Sequence, residues 1–596
     1  MNALEAASLV MIPSGYEDGT LGSLKPLDGS GDFTFSRGSN ISATRVNADG
    51  NIEKGYENLL EQSNQFDTTW ATYNTSVTSG QSGFDGSNDA WLLNKSGTDG
   101  RVFQNISFSG VTTFSIYAKA NTNSWIRLFF NTISVSVFFD LVNGVKGNSS
   151  GSGLIDSQIQ SIGNGWYRCS VTMNGSGSAC RVYPAEANTT SATSGSIYIQ
   201  DAMINQGLVA YPYVETTTAP VAGGILEDMP RLDYSNGSCP SLLLEPSRTN
   251  LITHSEYIEG GDYSSTASFA YNTHISPEGV QNALTLTDNS TSGIEQVEYR
   301  PAHTAGTSYV FSMFVKKDSD TTRFPEIFFR IGGGITQEIT TQINTSTGAK
   351  IDSILNGDVS SEVIDFSDDY WRVIIKAGDE VSDGNTFIRL RIRPAAGDVF
   401  GVQNPTTTGS IVTYGWQLEQ DATYPTSYIP TYGVSQTRLG DDATADISSL
   451  IDTSGSVAYF EGTIQDLTGA TESFRDVFAL TGAGGISLRI ERRVSNQYYI
   501  QRSSATINSG DDFNSYFDAS MNDDTIKIAF KFSSTQLKLF YNGSLMQTFN
   551  GSYNFGFTAF KFRDGATGNN IINRNNKVLA FPTALSDEAC IELTTI

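Results

Sequence analysis

The chain has 596 residues and carries 63 Asp and Glu against 37 Lys and Arg, which gives a formal net charge of −26. This charge argues against nucleic acid as a partner, because phosphate binding requires clustered Lys and Arg, and against an anionic membrane surface. The first residues lack a basic region and a long apolar stretch, so neither a signal peptide nor membrane insertion is predicted.

Aromatic and turn-forming residues dominate the composition, with 34 Phe, 26 Tyr and 57 Gly. Long runs of helix formers are scarce, whereas Ser, Thr, Asn and Gly are abundant. Aromatic and β-branched residues set among turn formers predict an all-β chain, and its length predicts several domains.

The first segment, residues 1–52, is rich in Gly and Ser and holds few long apolar runs. Short extended pieces are predicted at 33–39 and 43–46, and Asp49-Gly50 predicts a turn. We interpret residues 1–52 as an N-terminal arm or docking segment rather than as an independent core.

After residue 52 the sequence repeats itself over a long distance. Residues 58–63 match residues 250–255 at a separation of 192 positions. Further matches keep the same order while the separation grows to 213, and they pair 114–119 with 311–316, 128–130 with 327–329, 166–168 with 370–372, and 211–212 with 424–425. This pattern indicates a duplicated domain whose second copy has gained loop residues, because solenoid repeats are far shorter.

The two copies, residues 53–222 and 248–437, are predicted to be jelly-roll β-sandwiches. Apolar residues alternate with polar or larger ones in matched strands, so one side of each strand faces a core. The inward positions are Phe114, Ile116 and Ala118 in the first copy and Phe311, Met313 and Val315 in the second. Many short strands separated by turns favour this fold.

Two further segments complete the predicted organisation. Residues 223–247 interrupt the repeat and are interpreted as a structured connector, while residues 438–596 differ from both copies and are predicted to form a further domain of alternating strands. In the latter, Asn542-Gly543 after an alternating strand predicts a hairpin, because both residues tolerate positive φ. Ser586 is predicted to be the N-cap of a short terminal helix.

The four cysteines match no zinc spacing. Cys169 and Cys180 are close enough in sequence to face each other across a hairpin, so a disulfide between them is one alternative. A set of four cysteines does not make a disulfide framework, and unbridged thiols are the other alternative.

Several of these segments resemble a family of bacteriophage virion proteins. Residues 33–37 and 43–46 resemble an N-terminal segment of tail-fibre proteins, and residues 230–251 resemble a string that recurs in tail and appendage proteins. The two copies resemble jelly-roll, carbohydrate-binding-like modules. Residues 438–596 are similar to a concanavalin A-like lectin or laminin G-like domain, chiefly in the hairpin at 538–543 and the helix start at 584–586.

The resemblance implies a virion appendage of the tail-fibre or head-fibre type, assembled in the host cytoplasm and exposed on the particle surface. It implies docking to other virion proteins through the N-terminal arm, a homotrimer, and contact with host surface polysaccharide. The similarity of residues 438–596 to lectin-like domains is generic, because that fold serves both sugar binding and plain structure.

Aromatic residues give three candidates for carbohydrate binding. Trp125 follows the loop 121–124, which places it at a rim or, alternatively, in the core. Tyr498 and Tyr499 are adjacent on a strand, so one of them must face outward. Arg168 and Arg372 match across the copies beside aromatic residues, which favours a structural stacking role.

Metal and catalytic sites are weakly indicated. Four acid pairs are predicted to lie in solvated turns, with calcium binding as the alternative. They are Asp368-Asp369, Asp441-Asp442, Asp511-Asp512 and Asp523-Asp524. His254, His274 and His303 stand in no recognisable triad setting. We therefore expect no enzyme and no catalytic residue.

Three functions remain open from the sequence. The first is a tail fibre or spike-type adhesin that contacts host glycans. The second is a structural head fibre, capsid decoration or tail-assembly protein without a ligand. The third is a polysaccharide depolymerase, which needs two carboxylates about 5–10 Å apart.

Overall fold

The structure is a computed structural model that describes residues 3–17, 19–39, 41–131, 133–258, 263–452, 455–464, 476–482, 487–492, 497–503, 513–518, 525–551, 553, 555–562 and 573–595. The side chains of residues 464, 476–477, 490–524 and 573 lie outside this description. The described chain is almost entirely β, as predicted. No helix among these residues is long and apolar enough to cross a membrane.

The described residues up to 244 contain twenty-two strands. Before residue 60 they follow α1 (Ala3–Ala6) and are β1 (Leu9–Met11), β2 (Tyr16–Glu17), β3 (Thr20–Leu21), β4 (Phe33–Ser36), β5 (Thr44–Val46), β6 (Ile52–Lys54) and β7 (Tyr56–Asn58). Next come β8 (Ala71–Tyr73), β9 (Thr75–Gln81), β10 (Ala90–Lys95), β11 (Arg101–Phe108), β12 (Val111–Ala120), β13 (Trp125–Phe130), β14 (Val135–Asp140) and β15 (Val145–Ser150). The last are β16 (Leu154–Gly163), β17 (Trp166–Asn174), β18 (Gly177–Ala185), β19 (Gly195–Gln206), β20 (Val221–Gly223), β21 (Arg231–Asp233) and β22 (Ser241–Leu244).

The remaining described strands lie between residues 248 and 581. They begin with β23 (Arg248–Asn250), β24 (Tyr263–Ser265), β25 (Ser268–His274), β26 (Ala283–Asp288), β27 (Val297–Tyr299), β28 (Tyr309–Lys316), β29 (Phe324–Gly332) and β30 (Gln337–Ile343). They continue with β31 (Lys350–Asn356), β32 (Val359–Ser367), β33 (Tyr370–Ala377), a 3₁₀ turn (Val381–Asp383), β34 (Phe387–Gly397), β35 (Gly409–Gln420) and β36 (Gln436–Arg438). The chain finishes with β37 (Asp442–Asp446), β38 (Gly455–Ile464), β39 (Asp476–Gly482), β40 (Ser487–Arg492), β41 (Gln497–Ser503), β42 (Phe513–Asp518), β43 (Thr525–Ser533), β44 (Gln536–Tyr541), β45 (Ser544–Asn550), β46 (Phe557–Phe562), β47 (Asn573–Phe581) and α2 (Asp587–Thr594).

The duplicated copies share one topology, strand for strand. Module 1, residues 53–222, packs a sheet of order β16-β17-β12-β19-β10-β9 on a sheet of order β15-β14-β13-β18-β11-β8. Module 2, residues 248–437, packs β32-β33-β28-β35-β26-β25 on β31-β30-β29-β34-β27-β24. The predicted inward residues of both copies lie in these two cores. The jelly-roll duplication is therefore confirmed.

Local signals in the last sandwich also give the predicted elements. Asn542 and Gly543, with φ of 41° and 80°, join β44 to β45. The Ser586 hydroxyl oxygen accepts from the Ala589 N–H at 3.1 Å and caps α2. Residues 526, 528, 530 and 532 all point into the main core of this sandwich.

The N-terminal segment contributes strands to the last sandwich. Strand β1 pairs with β47, and β4 pairs with β37, so residues from opposite ends of the chain share two sheets. The connector does the same, because β22 also pairs with β47. Residues 1–52, which the sequence suggests as a docking arm, thus supply β1 to β4 to this sandwich.

A buried ion network joins the N-terminal segment, the connector and the start of the last sandwich. Arg231 contacts Asp441 and places Nη1 2.6 Å from Glu245. Arg438 lies 2.9 Å from the same Glu245 carboxylate, and Arg37 lies 3.3 Å from Asp441. Buried charges of this kind are tolerated only when paired. The resemblance string at 230–251 therefore has a structural role, since it carries Arg231 and Glu245.

The hairpin disulfide alternative is wrong. Cys169 lies on β17 and Cys180 on β18, which belong to opposite sheets of module 1. Both thiols are free and buried in the core between those sheets, where they act as small apolar side chains.

Candidate glycan-binding face

The outer face of one sheet of module 1 presents arginine and aromatic side chains together. Along β13, Ile126, Leu128 and Phe130 point into the core, as the period of two requires. The alternate residues Trp125, Arg127 and Phe129 therefore point outward and are half-buried. This strand is at the centre of the face.

Neighbouring strands align further arginine and aromatic residues beside β13. Register places Tyr183 and Phe138 opposite Arg127, and it places Arg181 opposite Phe129. One strand further on, Phe103 lies opposite Arg181. We call this surface the arginine–aromatic face, and its members are Tyr73, Arg101, Phe103, Trp125, Arg127, Phe129, Phe138, Arg181 and Tyr183.

The three guanidinium groups of the face lie over aromatic rings. The Arg127 guanidinium carbon lies 4.6 Å from the Phe129 ring centre and 5.0 Å from that of Tyr183. Arg101 lies 4.3 Å from the Tyr73 ring, and Arg181 lies 5.5 Å from Phe129. These cation–π contacts hold the guanidinium groups against the aromatic rings of the sheet.

No described carboxylate forms an ion pair with these arginines. Arg127 donates from Nε to the Ser136 hydroxyl at 2.8 Å, and Arg101 donates to a backbone carbonyl. The buried Nε atoms of Arg101 and Arg181 have no hydrogen-bond partner among the described residues. Burial lowers the pKa of Arg127 from its ordinary value, although an arginine stays charged near neutral pH. The face is thus positively charged within an acidic chain.

Module 2 shows what these positions look like when the charges are paired. By the matching registers, Arg391 is equivalent to Arg181, and Glu298 stands where module 1 has Phe103. The Nε atom of Arg391 lies 2.6 Å from the Glu298 carboxylate. Likewise Glu326 replaces Arg127 and contacts a further arginine of β34. On this sheet face the arginines of module 2 form ion pairs with glutamates, whereas those of module 1 form none with the described residues.

The sequence candidates are placed as follows. Trp125 lies on the arginine–aromatic face, where its ring packs over Gly147. Tyr498 and Tyr499 lie on β41, opposite Phe517 and Tyr516, but their side chains lie outside the described residues. The other members of the face were missed by sequence reasoning, since strands far apart in sequence supply them; the only local signal was the alternation at 125, 127 and 129.

The acid pairs suggested for calcium have other contacts or fall outside the description. Asp441 is held by two arginines, and Asp369 contacts Lys316 at 3.3 Å. The pairs 511–512 and 523–524 lie outside the described residues. In the described part, no group of three or more metal-ligating side chains converges.

Two glutamates approach each other at the contact between the modules. The Lys54 ammonium lies 2.7 Å from Glu256 and 2.6 Å from Glu278, and all three side chains are buried. The Tyr428 hydroxyl donates to Glu256 at 2.9 Å, and Tyr414 contacts both glutamates. Because this carboxylate pair is enclosed and held by an ammonium group, it does not reach a polysaccharide. The cluster fastens the β6 strand to module 2.

The histidines have structural contacts. The His303 Nε2 atom lies 2.9 Å from Asp379, whose other oxygen accepts from the Asn385 amide at 2.8 Å. His254 and His274 each contact the hydroxyl of a preceding threonine. None of the three histidines lies on the arginine–aromatic face, whose members are arginine and aromatic residues.

No family model matches the chain, and no curated protein matches it. Among solved structures, the CBM40 domain of the Ruminococcus gnavus IT-sialidase bound to α2,3-sialyllactose is 14% identical, with 25% of this chain and 91% of that chain covered and a TM-score of 0.21. The tandem CBM22 domains of Paenibacillus barcinonensis Xyn10C are 10% identical, with 64% and 99% covered and a TM-score of 0.19. The tail fibre protein gp63.1 of an E. coli phage is 8% identical, with 58% and 41% covered and a TM-score of 0.16. Similarities this low carry no argument, and the sandwich architecture rests on the strand registers of this chain.

Proposed function

We propose that the chain is a bacteriophage virion appendage protein of the tail-fibre or spike type, and that it binds glycans of the host surface through the arginine–aromatic face. The observation that carries the binding function is this face, where aromatic rings and hydrogen-bond donors lie on one rigid sheet. Sugar rings present both apolar faces and hydroxyl groups, so such a surface offers matching contacts. The virion origin is supported by the resemblance of residues 230–251.

The adhesion works through multiplicity. A flat face gives weak binding to a single glycan, and several copies on one particle raise the overall affinity. We propose a homotrimer on the particle surface, assembled in the host cytoplasm, with module 1 exposed. The loop between β3 and β4 is the part of the N-terminal segment that we propose docks to other virion proteins, since Leu24 is 47% and Leu27 is 93% exposed there.

The test is binding of labelled full-length protein to a panel of bacterial strains, with each strain's own soluble polysaccharide as competitor. We expect saturable, competed binding to at least one strain. Phe129→Ala removes a central ring of the face and weakens binding about tenfold. Phe387→Ala is the control. Phe387 lies on the equivalent sheet of module 2, and its substitution leaves binding unchanged. Absence of competed binding, or equal loss in both variants, contradicts the adhesin function.

A second candidate is a structural virion component without a ligand. The observation that favours it is the buried ion network of Arg231, Glu245 and Asp441, which fixes the connector against the last sandwich. Such rigid joints suit a spacer or decoration protein. The cell-binding experiment separates the two candidates, because a structural component binds no strain and instead takes a fixed number of places per particle.

A further inference from the structure

We propose that the arginine–aromatic face of module 1 selects acidic glycans, whose sugar rings carry carboxylate groups. This inference rests on the glycan-binding function proposed above and names its ligand class. The ligand places its carboxylates against the guanidinium groups of Arg101, Arg127 and Arg181, while its rings lie on the neighbouring aromatic side chains.

The first step is the charge of the face. Three guanidinium groups lie on one side of one sheet, and no described carboxylate pairs with them within 4.0 Å. The acid whose charge acts on Arg127 is Asp99, and its carboxylate is already held by the Thr190 hydroxyl at 2.6 Å. The net charge of the chain is −26, and these three arginines give this face a local positive charge.

The second step is the unused hydrogen-bonding capacity. The Nε atoms of Arg101 and Arg181 are buried and have no partner among the described residues. Leaving a buried donor unpaired costs about 1–3 kcal/mol, and the two guanidinium groups thus keep hydrogen-bonding capacity that the described residues do not use. The planar guanidinium group matches a carboxylate with two parallel hydrogen bonds.

Module 2, the second copy of the same fold, shows how the equivalent arginine is paired. In module 2 the guanidinium group equivalent to Arg181 belongs to Arg391, and it is occupied by the Glu298 carboxylate at 2.6 Å. Module 1 has Phe103 in place of this glutamate. The duplicate thus shows that this sheet geometry can bring a carboxylate onto the arginine. In module 1 the Phe103 ring lies there instead, with its centre 5.9 Å from the Arg181 guanidinium carbon, and a carboxylate that pairs with Arg181 has to come from outside the described chain.

The aromatic side chains determine that the anion is carried on a ring. Tyr73 is 48% exposed, and Phe103, Phe129 and Phe138 are half-buried around the arginines. A bare inorganic anion gains nothing from these rings, whereas an acidic sugar stacks on them. Uronic-acid and sialic-acid polymers both have this chemistry.

The test is calorimetric titration of the full-length protein with oligogalacturonate and with the methyl ester of the same oligosaccharide. Both probes have the same rings, and only the first is charged. Hyaluronan and polysialic-acid fragments extend the test to other carboxylated sugars. We expect at least one acidic probe to bind, with an affinity at least about tenfold above that of its ester or amide.

Three variants locate the binding. Arg181→Gln weakens acidic binding about tenfold or more, while Arg391→Gln, the matched change in module 2, leaves it unchanged. Phe103→Glu supplies module 1 with the internal carboxylate of module 2 and abolishes acidic binding without removing an arginine. Unchanged near-ultraviolet circular dichroism and melting temperature show that each variant folds.

The outcomes separate this inference from the function on which it rests. Equal binding of acid and ester overturns acidic selectivity and leaves glycan binding intact. Protein that binds bacterial cells but none of the acidic probes likewise overturns only this inference. Acidic binding that survives Phe103→Glu overturns the assignment to this face.

Discussion

Asn58 and Asn250 make the same four hydrogen bonds at equivalent positions of the two modules. Each side-chain amide donates to two backbone carbonyls and accepts from two backbone N–H groups. In module 2 the partners are Trp416, Ile429, Ile252 and Leu418, at 2.9–3.1 Å. The strand that opens each module is thus tied to β19 or β35 by a single buried side chain.

We predict that Asn250→Ala lowers the free energy of unfolding of module 2 by about 2–4 kcal/mol. The change removes four hydrogen bonds and leaves buried backbone groups unpaired. Denaturant unfolding followed by tryptophan fluorescence measures it. The exposed Asn289→Ala serves as the control and changes the free energy by less than about 0.5 kcal/mol. Equal effects of the two variants contradict the role assigned to Asn250.

The buried ion network gives a second prediction. Burial raises the pKa of Glu245, but Arg438 and Arg231 more than reverse this and hold the pKa well below its usual range. Glu245→Gln therefore leaves buried arginines uncompensated and destabilises the contact by about 3–5 kcal/mol. Hydrogen exchange measures the loss as faster exchange in β22 and β36.

A matched exposed pair provides the control for this prediction. Lys376 and Glu362 lie 3.8 Å apart at the surface of module 2. Glu362→Gln changes stability by less than about 1 kcal/mol, because exposed ion pairs contribute little. Unchanged exchange in Glu245→Gln protein rules out a stabilising role for the network.

The glutamate cluster between the modules gives a pH dependence. Burial raises the pKa of Glu278 to about 7, against the effect of Lys54 and with a further increase from Glu256. Since this pKa lies above that of the unfolded chain, the folded protein holds a proton that the unfolded chain has lost. The stabilisation is complete below about pH 4.5 and is lost as the pH rises through about 7.

The expected result is a melting temperature that falls by a few degrees between pH 5 and pH 8. Glu278→Gln removes this part of the dependence, because its amide does not titrate. The other titratable groups facing the site are Lys54, Glu256, Tyr211, Tyr414, Tyr428 and Tyr432. Burial also raises the pKa of Asp201 in module 1 to about 7. Asp201→Asn therefore removes a second contribution to the pH dependence of the melting temperature. An unchanged profile in both variants contradicts this prediction.

The N-terminal strands give a fourth prediction. Phe33 is fully buried and stacks on Phe562, with ring centres 5.5 Å apart. Phe33→Ala leaves a cavity in the last sandwich and lowers its stability by about 3–5 kcal/mol. Calorimetry of full-length protein measures this change, and Leu27→Ala, at a 93% exposed position, is the control. A melting transition of the last sandwich that is insensitive to Phe33→Ala contradicts the pairing of β4 with β37.

Local patterns predicted much of this fold, because they act within one strand or turn. The alternation at residues 114–119 and 311–316 identified the core faces, and Asn542-Gly543 identified a hairpin. One match was misaligned: Tyr213 and Tyr428, which contact Ser63 and Ser255, are equivalent, so the two Tyr-Pro pairs are not. The equivalent hydrogen bonds identify the matching tyrosines directly, whereas a comparison of the two sequences is shifted by the residues inserted in module 2.

Long-range pairing was beyond local patterns. The contact of β1 with β47 depends on residues at opposite ends of the sequence, and no local pattern in either strand predicts with which strand it pairs. The arginine–aromatic face has the same property, since Arg101, Arg127 and Arg181 become neighbours only through strand register. The sequence singled out Trp125 only because it follows the loop 121–124, and strand register places it on this face.

The pairing of β1 with β47 also sets the order of events during protein synthesis. At about 5–20 residues per second, the ribosome needs about half a minute to two minutes to reach β47 after it has made β1. Modules 1 and 2 are complete long before that time, each with its own core. Throughout this interval β1 lacks the strand with which it pairs in the folded protein, and an unpaired strand edge of this kind is able to associate with other chains.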